Sequence, residues 1–438
     1  MINNQEFISF DKTEHTRCDT IRPEKYSDIF KNVITPVIAR GAGLSYCNAG
    51  ATAAGTVIDM RRMNKILAFD SINKTITVES GICIGDLNNF LISNHFIFPV
   101  LPGYPLITVG GCIAFNIHGK SQFKVGTFKD WIKEIVLYHP DHGEMICSPD
   151  QNKNIFDLTI GGFGLTGIII SATLQFKDLP GGLLISEKVF VKNLTEAVEY
   201  MQHAEHEFEY VYSWNNLNKE NDSFGQGIVY LEKYGPGNSK TYSYKDKTQL
   251  SYKLPALHSD LTITAMCTVF YLLEKFKPKC TRQSLHSGSF PIYNKEIYYH
   301  LFGKKGFREY QVLLPWDMYE AAFEEIRKLI SKMKMAVALG SLKLFNGTAH
   351  QLSFTGSGVC LTIDVKESEK SILFFNALDE IAISYGAIIN LSKDSRADHA
   401  LISKLFKKFP DFKDQLIAFD PENKIRSELK TRLNLENT

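Results

Sequence analysis

The sequence predicts an α+β protein built from two domains, on three observations. Its 438 residues exceed one ordinary domain. The first 179 residues carry many short β-rich runs parted by glycine-rich loops, with few helices. Beyond a break at Leu179, Pro180, Gly181 and Gly182, strands and amphipathic helices alternate as in an antiparallel sheet with helices on one face, a common form of substrate-binding cap. A hydrophobic content of 44% and a charged content of 22% are those of a globular chain, and a net charge of +1 offers no footprint for nucleic acid. The eight cysteines lack metal-ligand spacing, so reduced structural thiols and no metal are expected. With no signal-peptide pattern and no apolar run of the ~20 residues that span a bilayer, the expectation is a cytoplasmic protein.

In the first domain, a β-rich run over 33–38 enters the loop RGAGLSY at 40–46, and a second strand follows at Thr56, Val57, Ile58 and Asp59. Gly41 and Gly43 suggest a dinucleotide fingerprint, but Tyr46 fills the third glycine's place and no helix opens behind it, so the Rossmann context fails. Next come a strand at 75–81, a helix at 84–94, and a hairpin from 131 to 147 that turns at 139–143. Gly162, Gly164 and Gly167 complete a GxGxxG spacing, yet Ile168 and the residues after it read as a strand. Either loop alone reads equally as a tight turn or as an anion-binding concavity of successive amides. The segment 108–120, with Gly110 and Gly111 and a His-Gly-Lys triplet, suits backbone lying flat on a planar ligand.

In the second domain, helices are expected at 194–208, 318–334 and 368–385, and strands at 210–214, 227–231, 310–314, 339–344 and 358–365. A long loop is expected at 233–253. The most apolar stretch, 259–273, precedes Lys275, Lys277, Lys279 and Arg282. It reads first as a buried helix or strand pair, and second as an interfacial segment beside a basic rim.

RGAGLSY, LPGYPLITVGGCIAFNIHGK at 101–120 and IGGFGLTGIII at 160–170, in that order, resemble the PCMH-type FAD-binding domain of the vanillyl-alcohol oxidase flavoproteins. VIDM at 57–60, PVLPG at 99–103, SW at 213–214, GF..YQ at 306–311, KLF at 343–345 and KDSR at 393–396 extend the resemblance to the branch that supplies oxidase subunits of decaprenylphosphoryl-β-D-ribose 2′-epimerases. It implies a PCMH-type domain at 1–179, a substrate-binding cap at 180–387, and a C-terminal segment, 388–438, that returns to the FAD domain.

The implied cofactor is FAD, held by Arg40, Gly41, Ala42, Gly43, Leu44, Ser45, Tyr46, Pro102, Gly103, Thr108, Gly110, Gly111, Asn116, His118, Gly119, Gly162, Gly164, Gly167 and Ile168. Relatives that attach FAD covalently through the first loop have histidine before its serine; here Leu44 has no nucleophilic nitrogen, so noncovalent FAD is expected.

Lys393, Tyr46 and His118 are the implied catalytic residues. Lys393 would act either as base or as a charge stabilising the reduced flavin. His118, Lys120, Gln311, Lys343, Cys360, Thr362 and Lys393 are implied to contact substrate, with His118 and Lys120 facing an anionic group. Three departures from the resemblance stand out. The reactive cysteine position falls on Thr362 and its neighbouring asparagine on Cys360, Glu309 replaces a glutamine, and Asn294 lies near a histidine position.

The implied reaction is oxidation of a secondary sugar hydroxyl, the 2′-hydroxyl of a polyprenyl-phospho-pentose. A separate NAD(P)H-dependent short-chain reductase would complete an epimerisation, and contact would be peripheral at the inner membrane face. The alternatives are a soluble sugar-1,4-lactone or alditol oxidase, and a flavin-binding protein with altered catalysis.

Overall fold

A computed structural model describes residues 2–32, 35–245 and 259–436. Residues 246–258, which include the end of the expected 233–253 loop, and 33–34 of the expected first strand lie outside the described residues.

The N-terminal half builds a four-stranded and a five-stranded sheet, with one glycine loop leaving the Val37–Arg40 strand and another leading into the Ile168–Gln175 strand. A four-stranded sheet runs in the order Asn3–Ile8, His15–Ile21, Thr56–Asp59, Val37–Arg40, and its last two pairings are parallel. A five-stranded antiparallel sheet follows in the order Ile66–Asp70, Thr75–Glu79, Ile168–Gln175, Ile132–His139, Gly143–Cys147. The expected hairpin is its outer edge, and the residues after the GxGxxG spacing are its central strand. A strand, rather than a helix, leaving that loop excludes the Rossmann arrangement.

Residues 183 onward enter an eight-stranded sheet, antiparallel throughout: Cys280–Ser284, Leu183–Val191, Gln226–Gly235, Tyr210–Asn216, Leu339–Phe345, Gly358–Lys366, Phe307–Leu314, Ile388–Ile389. The Gln226–Gly235 strand absorbs the first residues of the expected loop. Because side chains alternate across a strand, Val211, Leu342, Leu344, Leu361 and Ile363 enter the core with Val198, Phe323 and Phe374 of three helices. Those helices are Leu194–Ala204, Tyr319–Met333 and Glu369–Ser384. The other face of the sheet is left for polar and aromatic side chains.

The C-terminal segment returns to the N-terminal sheets. Val37 donates to the Lys424 carbonyl at 2.8 Å and accepts from the Arg426 amide at 3.0 Å, and the Glu428 amide bonds Ala51 at 3.0 Å. The 259–273 stretch is helical, as Asp260–Phe276, with a Ser259 side chain capping its start. Within 259–273 the expectation of burial holds only for Ile263, Cys267 and Tyr271. No helix among the described residues is long and apolar enough to cross a membrane.

Candidate active site

One cavity of about 970 Å³ is lined both by the glycine loops and by the open face of the eight-stranded sheet. At the loop end, Ala42, Gly43, Leu44 and Ser45 present backbone amides that no acceptor among the described residues takes up. Gly43 adopts a left-handed φ of +69°, and a Cβ there would strike the Arg40 guanidinium, which packs 4.0 Å from the Phe7 ring and donates to the Gly50 carbonyl at 3.2 Å. A Cβ on Gly41 would overlap the Thr108 hydroxyl. The same hydroxyl accepts the Gly111 amide at 3.3 Å and so starts the short Val109–Ala114 helix. The Gly110 amide donates to Ser80 at 2.7 Å, which fixes this second wall. Free amides beside bare glycine backbone suit a diphosphate and a flat ring, so the residues present fit FAD.

At the sheet end, alternate residues of several strands face the same space: Tyr212 and Trp214, Glu309 and Gln311, Ser341 and Lys343. Register decides which of them meet. Glu309 lies opposite Asp364, and Gln311 opposite Thr362, whose hydroxyl accepts from the Gln311 amide group at 3.1 Å. The buried Tyr46 hydroxyl donates to Glu309 Oε2 at 3.0 Å, and Lys393 Nζ stands 3.5 Å from that oxygen and 4.0 Å from the Tyr46 ring centre. The Ser392 carbonyl accepts the Tyr46 amide at 2.9 Å, which ties the first loop to the Lys393 turn. Asp364 accepts the Tyr298 hydroxyl at 3.0 Å on one oxygen, while its other oxygen is buried without a partner among the described residues. Burial and the Glu309 charge push the Asp364 carboxyl well above the usual carboxylate range. Burial, with Lys343 and Lys393 nearby, pulls the His118 imidazole well below its ordinary value, so it is neutral.

Most residues expected at the site line this cavity, but four do not, and a fifth lines it with its charge already paired. Asn116, Gly162, Ile168 and Cys360 are not in its wall. Asn116 is buried, with its side-chain oxygen accepting the Lys129 amide at 2.9 Å and its side-chain nitrogen without a partner among the described residues. Gly162 is a packing glycine, since a Cβ would strike the Leu158 carbonyl, and Ile168 is a core residue. Cys360 shares a sheet face with Thr362, as alternation expects. It is nevertheless sealed beneath Leu313, Phe345 and Phe354, and burial pushes its thiol up to about 12.

The fifth departure is Lys120, which reaches the cavity wall already neutralised. Its Nζ pairs with Glu232 at 2.9 Å, bonds the Gly288 carbonyl and sits 4.5 Å from the Tyr212 ring centre. Lys343, by contrast, has no carboxylate within ion-pair distance among the described residues. Sequence reasoning missed Glu232, Tyr298 and Asn390, the last of which donates from its amide to Gln311 Oε1 at 2.5 Å. Nothing in their local sequence distinguishes them. A group of buried His139 and Asp420 with exposed Asp141 has metal-like spacing, but Lys430 and Lys424 already hold its carboxylates.

Comparison with known proteins agrees with this geometry. An FAD binding domain family model matches residues 29–147. The chain is 26% identical, over 91% of its length and 89% of the relative's, to decaprenylphosphoryl-beta-D-ribose oxidase of Mycolicibacterium smegmatis. An uncharacterized protein of Streptomyces coelicolor is 23% identical over 77% of this chain and 95% of its own. D-lactate dehydrogenase of Anaerostipes hadrus is 28% identical over 37% and 35%. Residues matched to an FAD binding domain line a cavity that fits FAD, and relatives named as an oxidase and a dehydrogenase are similar to this chain over 91% and 37% of its length. The chain is therefore an FAD-dependent oxidoreductase with a PCMH-type FAD-binding domain.

Proposed function

We propose that the protein oxidises a secondary sugar hydroxyl to a ketone, the substrate being the 2′-hydroxyl of a polyprenyl-phospho-pentose. The observation that carries this reading is the placement of Lys393, Glu309 and Tyr46 in the same cavity as the glycine cradle. Similarity along nearly the whole chain to a decaprenylphosphoryl-ribose oxidase supports the choice of sugar and lipid.

Oxidation of a carbinol releases a hydride equivalent and a proton. Bound FAD supplies the acceptor for the former. The Glu309 carboxylate is placed to take the hydroxyl proton, and the Tyr46 hydroxyl on Oε2 fixes its orientation. Lys393, 3.5 Å away, balances Glu309 in the ground state and remains as a free positive charge once that carboxylate is protonated. Lys343 receives the phosphate, because Lys120 is held by Glu232. Neutral His118 offers a hydrogen bond without adding charge. A ketone at this carbon is half of an epimerisation, so a separate NAD(P)H-dependent reductase would act next.

The test is anaerobic mixing of the holoprotein with a short-chain, water-soluble prenyl-phospho-ribose, with free alditols and aldonolactones in parallel, while flavin absorbance is followed. Bleaching by the prenyl-phospho-sugar alone is expected. Bleaching by lactones or alditols alone would transfer the reading to a soluble sugar-lactone or alditol oxidase.

A further inference from the structure

We infer that the outer face of the Asp260–Phe276 helix docks on an anionic lipid bilayer and sets the mouth of the cavity at the membrane surface. This helix is apolar on two sides. Its inner side buries Ile263, Cys267 and Tyr271. Its outer side exposes Leu261 (81%), Met266, Val269, Phe270, Leu272, Leu273 and Phe276 (87%). At about 100° per residue these seven fall within about half of the helix circumference, an arc that contains no charged side chain. Isolated exposed leucines are ordinary, but a continuous apolar half-cylinder is a contact surface.

Charge identifies the occupant. Lys275, Lys277, Lys279 and Arg282 cluster at the C-terminal end of the helix and just beyond it, all exposed, three of them within a turn of the arc's end. The carboxylate nearest them, Glu274, is buried and shared between Lys188 and Lys277. The rim is thus net positive beside an apolar face, the arrangement that anionic headgroups and acyl chains complement. A second copy of the chain would instead bring the same cations to the same interface.

Position supplies the reason for docking. Met266 and Phe270 belong both to the exposed arc and to the cavity wall, and Phe270 packs 4.7 Å from the Trp214 ring inside the cavity. An amphiphile leaving the bilayer would cross this helix with its apolar tail against the arc and its polar head entering the site. The surface contact stands on these observations whatever sugar is oxidised.

The test is sedimentation of the holoprotein with vesicles of phosphatidylcholine, with and without about 30% phosphatidylglycerol, at low and high salt. Binding to the anionic vesicles that weakens with salt is expected. Leu273→Glu with Phe276→Glu should weaken it by at least about tenfold, and Lys275→Glu with Lys279→Glu should remove the preference for anionic lipid. Flavin content and bleaching by a water-soluble substrate should remain, since none of these residues lines the cavity. The wild-type salt response is read without any variant. Absence of wild-type binding, or equal binding by the apolar double variant, overturns the inference. So does a wild-type dimer that the apolar variant turns into a monomer without vesicle binding. Loss of bleaching with vesicle binding intact would count against the proposed reaction and leave the docking surface standing.

Discussion

The two ends of the cavity are built on different principles. The loop end, at 41–46 and 108–111, works through backbone amides and missing side chains, so glycine is its active ingredient. The sheet end, at Glu309, Gln311, Lys343, Thr362 and Lys393, works through charges delivered by strands far apart in sequence. The first end accepts a ligand whose shape is fixed, and one Cβ in the wrong place blocks it. Under the proposed function the second end would set chemistry and specificity, and one exchanged functional group, such as Glu309 for a glutamine, would retune it without disturbing the fold. Changes at the two ends should therefore separate cleanly in flavin content and in turnover.

The largest expected effect is at the sheet end. Lys393→Ala and Glu309→Gln should each lower the rate of flavin reduction by about 10²–10⁴-fold, the range for a removed acid–base group, while flavin content stays near wild type. Equal loss of flavin in these variants would break the division. Glu309→Gln further separates the roles: if Glu309 takes the hydroxyl proton, the variant should lose rate in flavin reduction with little change in KM.

Lys120→Ala comes next and sharpens what the sheet end contains. It strands Glu232, which is 1% exposed, and breaking a buried pair typically costs about 3–5 kcal/mol. Donors from Tyr212 at 3.0 Å and Gln283 at 2.8 Å remain on Glu232, so about 3 kcal/mol is expected in urea unfolding. The KM for substrate should change less than it does in Lys343→Ala.

Gly41→Val probes the loop end. The collision with Thr108 should cost about 2 kcal/mol of flavin affinity, roughly 30-fold, read from the ratio of flavin to protein after gel filtration. In the wild type, acid precipitation should release all flavin to the supernatant, because Leu44 offers no atom for a covalent bond.

The smallest effect is thermodynamic. His118 stays neutral in the folded protein, whereas in the unfolded chain it protonates near pH 6.5, so stability falls as pH falls below that value. The loss is at most about 1.4 kcal/mol per pH unit. His118→Gln should remove that part of the acid-side decline and leave the comparison flat above pH 7.5, as melting temperatures across pH 5–8 would show.

The loop end was legible because its chemistry is local. Adjacent glycines and small residues read directly as backbone free to approach a ligand, and the strand after Gly167 was readable from its apolar run. The sheet end was legible only as single letters brought together by resemblance. Glu309 and Asp364 are cross-strand partners across 55 positions, and Tyr298 arrives from a helix that no motif marks. Lys120 looked like a free cation because its partner Glu232 lies 112 residues away.

The sequence alone determined the alternation of strand and helix and the exclusion of a Rossmann turn, since each follows from periodicity or from residues in one short stretch, whereas the flavin reading of the glycine loops was implied by the resemblance. Only the tertiary structure decided which charges are already paired, that Cys360 is sealed from the cavity, and that the Asp260–Phe276 helix leaves half its apolar surface uncovered. Hydrophobic periodicity records that a face is apolar but not what lies against it, because burial and pairing are properties of the assembled neighbours rather than of the segment.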